Sequence, residues 1–123
     1  MNTIGPEALA DRLDAGDDLF VLDIRPESDY RAGHIDGSHN APVYDAVRGG
    51  DAAALDAHLD AVPGDAEVVT VCKMGVVAKR ATARLGEQGY EARTLAGGMR
   101  RWRGYQANSL GYRLSSFVRG LLP

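Results

Sequence analysis

The run Glu67-Val68-Val69-Thr70-Val71-Cys72 constrains this chain more than any other segment. It is rich in β-branched residues and bounded by Gly64-Asp65 and Gly75, which predicts a strand that delivers Cys72 to its carboxyl end. From Val77 to Gln88, Val77, Ala81 and Leu85 line one face while Lys79, Arg80, Arg84 and Glu87 lie largely elsewhere, a one-sided helix stopped at Gly89. Leu19 to Ile24 reads as a second, buried parallel strand, and Glu91 to Leu95 as a short one. Helices are expected from Pro6 to Ala15 and from Asp51 to Val62, with a helical turn at Pro26–Tyr30 and a short strand at Asn40–Val43. Gly97-Gly98 turns the chain into a brief helix carrying Met99 and Trp102. Strands alternating with helices indicate an α/β fold: a central, mainly parallel sheet with helices on both faces.

Composition excludes several function classes. A chain of 123 residues is one domain by size and can bury roughly two thirds of its unfolded surface. The single cysteine permits neither an internal disulfide nor a multi-cysteine metal centre. A net charge of −3 offers no electrostatic reason to expect nucleic acid. The start lacks a basic region followed by an apolar run, and no stretch approaches the roughly 18 apolar residues of a membrane span, so a cytoplasmic, reducing location is the expectation.

The chemistry therefore gathers at Cys72. In an open parallel sheet, ligands collect outside the carboxyl ends of the strands. The segment Cys72-Lys73-Met74-Gly75-Val76-Val77 joins strand to helix within so few residues that its backbone must curl, with Gly75 supplying the conformational freedom. Inward-turned amides, the positive end of the following helix and the charge of Lys73 would together stabilise a thiolate and hold an anion above it. The competing reading is a small buried hydrophobe at a strand end.

At these residues the chain resembles the rhodanese-like domain family, from about Thr3 to Tyr105. Leu22-Asp23-Ile24-Arg25, Tyr30, Gly33-His34-Ile35, Gly37, Asn40 and Pro42 are similar to the family's first signature, and Leu95-Ala96-Gly97-Gly98 with Trp102 to its closing one. Between them, the six-residue loop from Cys72 resembles the C-R-K-G-V-T loop of thiosulfate sulfurtransferases. The resemblance implies that Cys72 takes a sulfane sulfur from thiosulfate or a persulfide donor, holds it as a persulfide, and passes it to cyanide or a thiol. The thiol could belong to a thioredoxin-like or sulfur-carrier protein. Neither a metal nor another cofactor is implied.

Two positions depart from the pattern. Met74 replaces a second cation, which weakens the attraction for a dianion, and Val77 stands where many members have Thr, Ser or Arg. A donor other than thiosulfate would depend less on that charge. Phosphatase and arsenate reductase relatives have a longer loop ending in an arginine; here the corresponding position is Ala78, and Arg80 lies too far around the helix to substitute.

The remaining candidates read as scaffold. Asp23 and Arg25 are expected to pair with each other or with loop backbone, and His34, Gly33, Gly97, Gly98 and Trp102 to serve structural motifs. His39 and His58 lack paired ligand spacing. Arg100, Arg101 and Arg103 read as a solvated helix face, with an acidic partner as the minority view. Residues 1–105 form the expected rhodanese-like domain and 106–123 a C-terminal amphipathic helical extension, with Leu110, Leu114, Phe117, Val118 and Leu121 in one stripe. Packing onto the domain's own surface is its first expected use, a homodimer contact the second and a membrane surface the last. The function expected is that of a sulfurtransferase; its rival is a non-catalytic rhodanese-like binding or regulatory module.

Overall fold

A computed structural model describes the backbone of residues 2–121 and the side chains of residues 2–109. Five strands build one sheet: β1 (Thr3–Ile4), β2 (Leu19–Asp23), β3 (His39–Asn40), β4 (Glu67–Val71) and β5 (Glu91–Leu95). Their order across the sheet is β1-β5-β4-β2-β3, and every pairing is parallel. The helices are α1 (Pro6–Asp14), α2 (Glu27–Ala32), α3 (Tyr44–Arg48), α4 (Ala78–Glu87) and α5 (Gly98–Leu121).

The period-two alternation of β4 divides the core. Val68 faces one side with Leu22, Val47, Leu55, Ala81 and Leu85, beneath α3 and α4. Val69 and Val71 face the other with Leu9, Leu95, Met99 and Trp102, beneath α1 and α5. Burial on both faces explains why β4 is almost uninterruptedly apolar. Its one buried hydroxyl, Thr70, is satisfied in a chain across α4 and β5: the Thr70 and Thr82 hydroxyls lie 2.7 Å apart, those of Thr82 and Thr94 2.6 Å, and the Ala78 carbonyl lies 3.2 Å from Thr70 and 3.1 Å from Thr82 as a further acceptor.

At the amino ends of the strands, Arg12 of α1 donates two 2.8 Å bonds to the Glu67 carboxylate, with Arg93 3.7 Å from the same group. These bonds hold the Glu67 carboxyl below its usual range, against the opposing effect of burial. The ionic clamp thus sits at the opposite end of β4 from Cys72.

Several expected elements are corrected. Asp51–Val62 is not a regular α-helix: Ala52–Ala61 is a run of 3-10 turns with Leu55 as its one fully buried residue. An apolar stripe that short does not enforce α-helical packing. The short strand lies at His39–Asn40, earlier than expected, where it pairs with Leu22 and Asp23. Both β1 and α3 went unpredicted, being two and five residues long and so too short to show a period. The brief helix after Gly97-Gly98 is in fact the 24-residue α5, which continues through residue 105 without a break. The stripe from Leu110 to Leu121, and with it the dimer expectation, lies outside the described side chains.

Candidate active site

Cys72 follows β4 directly and is only 1% exposed. Its sulfur accepts two backbone hydrogen bonds, from Gly75 N at 3.2 Å and from Ala78 N at 3.4 Å. The second donor belongs to the first turn of α4, so the sulfur sits on the positive end of that helix. The amides of Lys73, Met74, Val76 and Val77 donate to no protein acceptor among the described residues.

The curl of this loop is imposed by its neighbour. Amides of α5 take the loop's first two carbonyls, Met99 N donating to Cys72 O at 2.9 Å and Arg100 N to Lys73 O at 3.1 Å. Backbone meets backbone at two glycines. Gly75 has φ +78°, and a Cβ there would lie 2.8 Å from Gly97 N; Gly98 has φ +59°, and a Cβ there would lie 2.6 Å from the Lys73 carbonyl carbon and oxygen. Gly98, expected only as part of a turn, and Gly75 are therefore what let the Cys72 loop seat against α5.

Around the sulfur, Lys73, Met74 and Val76 are exposed while Val77 is half-buried against the core. Met74 and Val76 are the exposed large hydrophobics among the described residues, at 45% and 67%. Arg80 points elsewhere: its Nη1 donates to the carbonyls of Val47 and Arg48 at the end of α3. It therefore takes no part in an oxyanion clamp over Cys72.

The first-signature residues form a neighbouring cluster. Asp23 and Arg25 are both buried and joined through Arg25 Nε and Nη2, with Nη2 also donating to Gly33 O at 2.7 Å. Asn40 ties the cluster to β3 by donating to Asp23 O and Arg25 O. The ring of His34 stacks on Tyr30 at 3.9 Å and hydrogen-bonds that residue's carbonyl. Trp102, 6% exposed, packs from α5 into the core.

The family model for the rhodanese-like domain matches residues 5–105. The chain belongs to the rhodanese-like domain family. Among curated relatives, it is 33% identical over 94 residues to the "HTH-type transcriptional regulator Rv0324" of Mycobacterium tuberculosis, covering 75% of this chain but only 37% of that protein. It is 27% identical over 101 residues to the "Putative sulfurtransferase YtwF" of Bacillus subtilis, covering 82% of this chain and 89% of the relative. Among solved structures, a thiosulfate sulfurtransferase from Pseudomonas aeruginosa superposes with a TM-score of 0.69 at 28% identity, over 85% of this chain and 18% of the other.

In this rhodanese-like domain the connections after β2 and β4 leave toward opposite edges of the sheet, which opens a crevice between their carboxyl ends. A cavity of about 190 Å³ lies there, lined by Arg25, Asp29, Ala32, Lys73 and Arg103. The sequence placed Arg103 on a solvated face and assigned nothing to Asp29. Only the fold brings α2, α5 and the Cys72 loop together, so no local spacing could have revealed the cluster. A larger cavity of about 770 Å³, bordered by Leu13, Ile35, Trp102 and Tyr105, includes no residue of the Cys72 loop.

Proposed function

We propose that this rhodanese-like domain is a sulfurtransferase whose nucleophile and sulfur carrier is Cys72. The observation that carries the reading is the buried sulfur under the Gly75 and Ala78 amides, at the carboxyl end of the central strand. The thiolate attacks the outer sulfur of a sulfane donor. A new S–S bond forms at Cys72, the donor's S–S bond breaks, and its electron pair leaves with sulfite from thiosulfate or with a thiolate from a persulfide. Backbone donors of the loop stabilise the resulting persulfide, and Lys73 assists electrostatically. An acceptor thiol or cyanide then attacks the outer sulfur and restores the Cys72 thiolate. With one cysteine in the chain, the acceptor comes from outside, from a small thiol or from a thioredoxin-like or sulfur-carrier protein.

The test is intact mass after incubation with thiosulfate, or with a persulfide donor, and removal of excess. One added sulfur, stripped by cyanide and absent from Cys72→Ser, is expected. An unmodified mass with both donor types would refute the reading. It would favour instead a binding or regulatory module, the rival that the exposed apolar Met74 and Val76 and the likeness to part of a regulator keep in view.

A further inference from the structure

The crevice cavity beside the Cys72 loop has an unusual charge arrangement for its size. Arg25 comes from the end of β2 and is 3% exposed; its Nε and Nη2 are taken by Asp23 and Gly33, while Nη1 donates to no protein acceptor among the described residues. Arg103 reaches the same place from α5, its Nη2 lying 3.8 Å from the Cβ position of Gly33. Lys73 enters from the loop and Asp29 from α2. Lys73, Arg103 and Asp29 form no ion pair among the described residues. Since Asp23 neutralises Arg25, the cavity is left with two uncompensated cations and one carboxylate, a net single positive charge.

Two cations facing one carboxylate leave an excess of positive charge, which an added anionic group relieves. The carboxylate of Asp29 makes a dianion a poor occupant, because its charge would lie beside a like charge. A ligand with a carboxylate and an ammonium on one carbon satisfies both signs. A cavity of about 190 Å³ has room for such a head group.

We propose that this cavity binds the α-amino-acid head of a low-molecular-mass persulfide, its carboxylate on Lys73, Arg103 and the free edge of Arg25, its ammonium on Asp29. The assignment rests on the sulfurtransferase reading of Cys72. The Cys72 thiolate attacks the terminal sulfur of R–S–SH; the donor's S–S bond breaks, its electron pair leaves as R–S⁻, and the proton stays on the transferred sulfur as Cys72–S–SH. Arg103 thereby supplies, from a different element, the second cation that Met74 does not provide in the loop.

Binding can be measured apart from transfer. S-(methylthio)-L-cysteine, which carries the amino-acid head and a disulfide sulfur, is titrated into Cys72→Ser, followed by the amide NMR signals of Lys73 and Arg103. Saturable shifts are expected. Adding Arg103→Ala or Asp29→Asn to that protein should weaken binding at least fivefold, with Arg103→Lys recovering part of the loss. In the protein that retains Cys72, Asp29→Asn should slow sulfur loading from cysteine persulfide at least fivefold while raising loading from thiosulfate. Absence of shifts at both residues, unchanged affinity in Asp29→Asn, or an equal change with both donors would overturn the subsite. Probe binding with the expected variant losses, but no loading from any donor, would support the subsite and count against the sulfurtransferase reading.

Discussion

Substituting Gly98 by alanine tests whether the Cys72 loop takes its shape from contact with the start of α5. The new Cβ would lie 2.6 Å from both the carbonyl carbon and the oxygen of Lys73, which are backbone atoms that cannot rotate away. Gly98 also has φ +59°, where a side chain costs about 1–2 kcal/mol. Overpacking against backbone adds about 1–3 kcal/mol, so a loss of about 3 kcal/mol is expected. At roughly 4 °C per kcal/mol for a chain of this size, Tm should fall by about 12 °C. A domain with an ordinary reserve of roughly 5–15 kcal/mol stays folded at 25 °C after such a loss, so loading remains measurable. Relief of the clash moves the Lys73 carbonyl and with it the amides around the sulfur; loading of Cys72 should slow at least tenfold. Gly86→Ala is the contrast. It lies inside α4 with nothing within 4 Å of its Cβ position and should gain about 1 kcal/mol by helix propensity. Thermal unfolding by circular dichroism and loading by intact mass read both effects. A Gly98→Ala protein with Tm within about 2 °C of the parent and unchanged loading would show that this backbone contact does not shape the loop.

Other perturbations read the scaffold. Glu67→Gln should cost about 1 kcal/mol at neutral pH, since solvent at half-exposed Arg12 limits the ionic contribution. Because the Arg12 bonds hold the Glu67 carboxyl below its ordinary 4.5, the clamp's contribution is full above that value and is lost as pH falls through the lower folded one. Denaturant titrations of both proteins from pH 7 to pH 2 should therefore converge at the acid end; a constant difference would contradict the ionic origin. Asp23→Asn leaves the buried guanidinium of Arg25 facing a neutral amide and should destabilise by about 3 kcal/mol in the same titration. A loss below about 1 kcal/mol would mean that the Gly33 carbonyl and solvent suffice for that charge.

What was legible in the sequence follows the range of the interaction that encodes it. The β-branched run ending at Val71 and the one-sided Ala78–Glu87 helix were readable because burial on two faces or on one leaves a period within about a dozen residues. Cys72 stood out because a strand, a tight loop and a helix occur in immediate succession. By contrast, β1 exists because Thr3 and Ile4 find Thr94 and Leu95, ninety-one residues away. No local pattern announces such a pair.

Sequence alone determined the α/β class, the parallel sheet and the delivery of a single cysteine to a strand's carboxyl end, all of which depend on periodicity and on residues within a turn or two of one another. Tertiary structure decided which groups surround that cysteine. The α5 amides that hold the loop carbonyls, and the convergence of Arg25, Asp29, Lys73 and Arg103, depend on the strand order β1-β5-β4-β2-β3. That order joins the ends of β2 and β4 across about fifty residues of chain, and a contact of that range is selected by the packing of the whole core.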